Sequence, residues 1–148
     1  MSGITLVVED ERWRSHYGLR ARLARAGEAA AKAVRLKGDI AILLAGDRKL
    51  ASLNHAFRHK DKPTNVLAFP GSHGHGGDIA IAYGMTAKEA KSTGKSVADH
   101  ACHLVVHGVL HLAGYDHVRG EDAKVMEPLE VKILGRLGIA DPYGAPPR

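Results

Sequence analysis

The chain has little of what marks secreted or membrane proteins. It carries one cysteine, Cys102, in 148 residues, so it forms no internal disulfide, and a reducing cytoplasmic compartment is expected. No run approaches the roughly 20 apolar residues that a membrane span needs, so no membrane association is expected. The apolar stretch Ile4 to Val8 is too short for a secretory signal and runs straight into Glu9, Asp10 and Glu11. There is no internal repeat.

What is present suits one soluble domain. Its length allows a real hydrophobic core without a second domain, and 45% hydrophobic with 25% charged residues is ordinary for that class. A net charge of +5 favours polyanionic partners without choosing among them. Many of the basic residues fall between Arg12 and Lys37, where the plain reading is a solvated helix face.

Periodicity divides the chain into short strands and helices. Ile4 to Val8 reads as a strand, and Leu19, Leu23, Ala26, Ala30 and Val34 mark a helix that Gly27 could break into two. Asp39 to Leu44 reads as a buried strand, with Asp47 as N-cap of a helix through Leu50, Leu53 and Phe57. Val66 to Phe69 is a strand ended by Pro70, and Asp78 to Ala82 completes a long hairpin around the loop Gly71 to Gly77, whose His73 and His75 read as solvated. Thr86 and Glu89 have capping-box spacing, as do Ser96 and Asp99, which should open a helix through Leu112. A last helix from about Glu121 to Leu137 carries the stripe Met126, Leu129, Ile133 and Leu137, with Pro128 as a kink or a late start. The expected architecture is α+β: one domain over 1–140, with a small mixed sheet of about four strands and about five helices, and a flexible tail over 141–148.

The informative stretch is His107 to His117, which reads H-G-V-L-H-L-A-G-Y-D-H. On a helix, His107 and His111 rise from one face close enough to share a metal ion. Gly114 can take a positive φ, end the helix and swing His117 back as a third ligand, leaving one position open as in catalytic zinc sites. With 10 histidines in the chain, the spacing alone also fits a run of hydrogen-bonded histidines. His100, His103, His107 and His111 fall on one arc of an otherwise apolar, central helix, so that edge should face a cleft. The pattern has the spacing of the metzincin protease motif, but Gly108 stands where those enzymes have their glutamate base. A site without it needs another base or a metal that acidifies water unaided, which disfavours a protease and leaves other hydrolysis open.

These residues resemble the YbeY family of bacterial ribosomal RNA maturation factors. The resemblance rests on His103 to His117, on Arg58 to Pro70 (R-H-K-D-K-P-T-N-V-L-A-F-P) and on Gly77-Asp78-Ile79. Ala68 stands where the family usually has serine. The resemblance implies a zinc-dependent endoribonuclease of single-stranded RNA, acting at the small-subunit rRNA 3′ end and in ribosome quality control. It implies one Zn2+ per chain on His107, His111 and His117, and Arg58 as a residue needed for activity. Partners would be rRNA precursors and the small subunit, with ribosomal proteins or assembly GTPases as candidates. Taken alone, Arg58 reads more readily as a surface ion pair with Asp61; its case for catalysis is that a guanidinium fork can bind phosphate oxygens as charge develops. His103 is assigned to the cleft wall or to proton transfer, and Asp116 either orients a ligand histidine or sits in the turn. Cys102 reads as core. The rival reading is a non-catalytic, metal-stabilised ribosome assembly factor that binds rRNA.

Overall fold

The computed structural model describes residues 3–58, 64–72, 74–115 and 120–144, with the backbone alone for 120–123. The elements are β1 (Ile4–Val8), a 3-10 turn (Glu11–Ser15), α1 (Leu19–Ala33), β2 (Ile40–Ala45), α2 (Asp47–Arg58), β3 (Val66–Pro70), β4 (Gly77–Ala82), α3 (Tyr83–Ser92), α4 (Val97–Leu112) and α5 (Gly120–Arg136). This is the expected α+β architecture with a four-stranded mixed sheet.

Strand order is β1-β2-β4-β3. β1, β2 and β4 run parallel, and β3 returns antiparallel along β4 with Phe69 opposite Asp78, as the hairpin reading required. One register row crosses the sheet through Leu6, Ile42, Ile79 and Ala68. These side chains belong to the main core, which the sheet shares with α1, α4 and α5. A smaller core of Leu50, Leu67 and Ala80, with Leu53 and Phe69, joins the other face to α2. Covered on both faces, β2 is apolar along its whole length.

Four local expectations change. Gly27 does not divide α1: it is buried, and a Cβ there would stand 3.1 Å from Ile4 Cδ1 and 3.6 Å from Val105 Cγ1, so it is a close-packing position. Asp47 lies inside α2, and its carboxylate accepts from the backbone N–H of Met85 at 2.9 Å, capping α3 in place of α2. Consequently α3 starts at Tyr83, ahead of the Thr86–Glu89 box; Thr86 Oγ1 instead donates to Ala82 O at 2.6 Å. Pro128 does not mark a late start, because α5 begins at Gly120 and continues through it. Pro128 and Lys124, the residue whose carbonyl loses its N–H partner, both lie on the exposed side, where water can satisfy that carbonyl. Trp13, which the sequence reading passed over, is buried, donates from Nε1 to Ala45 O at 2.9 Å and meets Tyr83 edge to face.

No described helix is long and apolar enough to cross a membrane.

Candidate metal and nucleic-acid site

The site is built on α4. Ser96 caps its first turn, accepting from the N–H of Asp99 at 3.0 Å as the spacing predicted, and Asp99 also binds Arg22 of α1. Ten of its sixteen residues are buried, so the helix is anchored in the core and its histidine edge has a fixed heading. At the far end Gly114 takes φ +100, and Gly114 and Tyr115 donate back to His111 O and Leu110 O, closing the helix just past His111. Asp116 and His117 lie outside the described residues, as do Asp61 and His73. His75 is exposed in the hairpin loop.

His107 and His111 come together as expected. Their rings are 4.5 Å apart and their Nε2 atoms approach to 2.9 Å. A tetrahedral ion with bonds of about 2.0–2.1 Å would hold two nitrogens roughly 3.3 Å apart, a few tenths of an ångström from this spacing. Behind the pair lies Glu130 of α5, with no exposed side-chain surface. Its Oε2 accepts from His103 Nε2 at 2.9 Å and from His107 Nδ1 at 3.2 Å, and its Oε1 accepts from the Tyr143 hydroxyl at 2.8 Å. Burial pushes this carboxyl upward, but the hydrogen bonds and charge of His103 and His107 outweigh burial and hold it at about 2. Burial and the bond to Glu130 push the Tyr143 phenol up. With its Nδ1–H turned to a carboxylate, His107 keeps its Nε2 lone pair for a metal, the arrangement that metal-ligating histidines share. The donor set therefore fits a divalent ion.

His103 is the next residue along the edge. Its Nε2 is held by Glu130 and lies 3.3 Å from the Tyr143 hydroxyl, while its Nδ1 is buried without a hydrogen-bond partner among the described residues. It lines a cavity of about 350 Å³ with His100, His107, Asn65, Glu89, Lys95 and Tyr143. His100, buried at the same edge, binds Glu89 Oε1 at 2.9 Å, and its burial lowers its pKa. Cys102 faces the core as expected, and burial pushes its thiol to about 11.

Arg58 closes α2 with an exposed side chain. Its Nη2 donates to Ala68 O at 2.7 Å and its guanidinium lies 5.7 Å from the Phe69 ring centre. Ala68 is the register partner of Ile79, and Ile79 packs under Gly108, so Arg58 is tied to the sheet edge on the row that runs beneath Gly108 of α4. Because the contact uses the backbone carbonyl, it does not depend on the family's serine at this position. Gly108 itself explains the missing protease glutamate. A Cβ there would come within 3.0 Å of Ile79 Cδ1, so position 108 faces the sheet and leaves no room for an acidic side chain.

Sequence reasoning missed Glu130 and Tyr143. Glu130 carried a signal, since it falls between Met126 and Ile133 on the apolar stripe of α5, where a carboxylate needs partners. Tyr143 carried none: it lies in the stretch read as a tail, where the Tyr143 N–H donates to Asp141 Oδ1 at 2.8 Å and Lys95 Nζ donates to Pro142 O at 3.1 Å. Residues 145–148 lie outside the described set.

Fold and site together define a class: a small α+β domain whose central helix presents paired imidazoles, backed by a buried carboxylate, suited to a divalent metal. The chain belongs to the YbeY family, whose model, described as endoribonuclease YbeY, matches residues 8–138. Among curated relatives of that name, the protein of Maricaulis maris is 47% identical, with 97% of this chain and 92% of the relative covered. That of Paracoccus denitrificans is 44% identical, covering 95% and 89%. A solution structure of a Thermotoga maritima protein shares the fold at a TM-score of 0.55 and 23% identity, covering 95% of this chain and 99% of that one.

Proposed function

We propose that this chain is a zinc-dependent endoribonuclease that cleaves single-stranded RNA in ribosomal RNA maturation, at the small-subunit 3′ end, and serves ribosome quality control in the cytoplasm. The observation that carries this reading is the convergence of His107 and His111 Nε2 in front of a buried carboxylate, in a chain of a family named for endoribonuclease activity. One Zn2+ per chain would be held by His107, His111 and His117. When bound, zinc supplies Lewis-acid stabilisation of phosphate charge and acidifies water to a pKa of about 7.

The chain's own residues do the rest. Arg58 spends one of its N–H groups on Ala68 O, which fixes the fork at the edge of the sheet, and its other donors bind phosphate oxygens and stabilise the charge that builds there. Glu130 is fully buried and, among the described residues, engaged by His103, His107 and Tyr143, so it orients histidines and does not serve as the general base. His103 forms the wall between Glu130 and the cavity. Small-subunit rRNA precursors are the substrate, and ribosomal proteins or assembly GTPases are candidate partners.

The test is RNA cleavage by protein freed rigorously of contaminating ribonucleases. Cleavage that requires metal and disappears in Arg58→Ala supports the enzyme. Undiminished RNA binding with no cleavage by the metal-loaded wild type would leave an rRNA-binding assembly factor in its place.

A further inference from the structure

We propose that Glu130, braced by Tyr143, is the positioning residue that sets the metal affinity of the histidine pair. This rests on the reading that His107 and His111 hold the metal.

A neutral imidazole has two tautomers of similar energy and a ring that can turn over, and only one combination presents the Nε2 lone pair towards His111. An ionised carboxylate only accepts hydrogen bonds. Placed 3.2 Å from Nδ1, it selects the form with the proton on that nitrogen. Glu130 is itself fixed from two sides. His103 and His107 donate to one oxygen and the Tyr143 hydroxyl to the other, so the carboxylate cannot rotate without breaking buried, charge-assisted bonds. α4, α5 and the segment after α5 therefore meet at one carboxylate, which points His107 at His111.

A merely structural ion pair would tie α5 to α4 equally well but would leave metal affinity untouched once the protein is folded. The two roles separate in experiment. Zinc affinity is measured by chelator competition on wild type, Glu130→Gln, Tyr143→Phe and His111→Ala, with far-ultraviolet circular dichroism of the metal-free proteins as the check on folding. Nitrogen-15 spectra of the metal-free wild type report the His107 tautomer. Glu130→Gln should bind zinc about 10–100-fold more weakly while folded, Tyr143→Phe several-fold more weakly, and the wild-type His107 should carry its proton on Nδ1. Zinc affinity within about twofold of wild type in folded Glu130→Gln overturns the proposal. If Glu130→Gln does not fold, unchanged affinity in Tyr143→Phe or a His107 proton on Nε2 overturns it instead. Absence of zinc binding in the wild type, or full binding in His111→Ala, is a different result: it removes the metal site itself.

Discussion

Single side chains at this site are defined by what their neighbours leave them free to do. Arg58 is exposed and bound to the fold by one backbone carbonyl, so Arg58→Ala should change stability by no more than about 0.5 kcal/mol and leave zinc bound. Arg58→Lys should restore only part of the RNA processing lost in Arg58→Ala, because an ammonium keeps the charge without the bidentate fork. Melting temperature, zinc content and processing measured on the same preparations check both statements, and a marked loss of zinc in Arg58→Ala would make this arginine structural. Cys102 is the opposite case. Its buried thiol titrates at about 11 instead of its ordinary 9.0, so the folded chain should resist thiol reagents at neutral pH and react only on unfolding. Since the folded state holds this proton more tightly than the unfolded one, the contribution is intact below about 9 and lost as pH rises from there towards 11. Alkaline melting curves of wild type and Cys102→Ser should converge over that window.

At the scale of elements, α4 sets the site because its opposite face has no freedom to move. Gly108→Ala sets a methyl 3.0 Å from Cδ1 of Ile79, which must give by a few tenths of an ångström; overpacking should outweigh the roughly 1 kcal/mol that alanine gains over glycine in a helix, for a net cost of up to about 2 kcal/mol. It should also weaken zinc binding, since relief of the clash turns the helix that carries His107; denaturant unfolding and zinc titration of the variant measure the two effects. Much of α4 was legible in the sequence. Its Ser96 cap, its histidine arc and its Gly114 stop are local signals, and the strands were legible from short apolar runs. What escaped depended on contacts distant along the chain. The carboxylate of Asp47 caps α3, not its own helix, because the fold brings the start of α2 beside Met85. Gly27 breaks nothing because Ile4 and Val105 pack against it. Glu130 and Tyr143 belong to the site through partners 13 to 40 residues away along the chain, which no local pattern encodes.

Across the whole molecule, a net charge of +5 governs how a polyanion is met. RNA affinity should fall steeply with salt, because each Lys or Arg contact to phosphate releases counterions. A flat dependence in a binding titration would point to a small uncharged substrate. The central claim is that His107, His111 and His117 hold a metal on which RNA cleavage depends. The direct measurement strips the purified protein of metal and follows cleavage of a single-stranded rRNA 3′-end precursor as zinc is returned, in wild type and in His111→Ala. Wild-type cleavage should be absent without metal and return as zinc approaches one per chain, and His111→Ala should neither take up that zinc nor cleave. Cleavage by the stripped wild type, or by His111→Ala at the wild-type rate, would contradict the account.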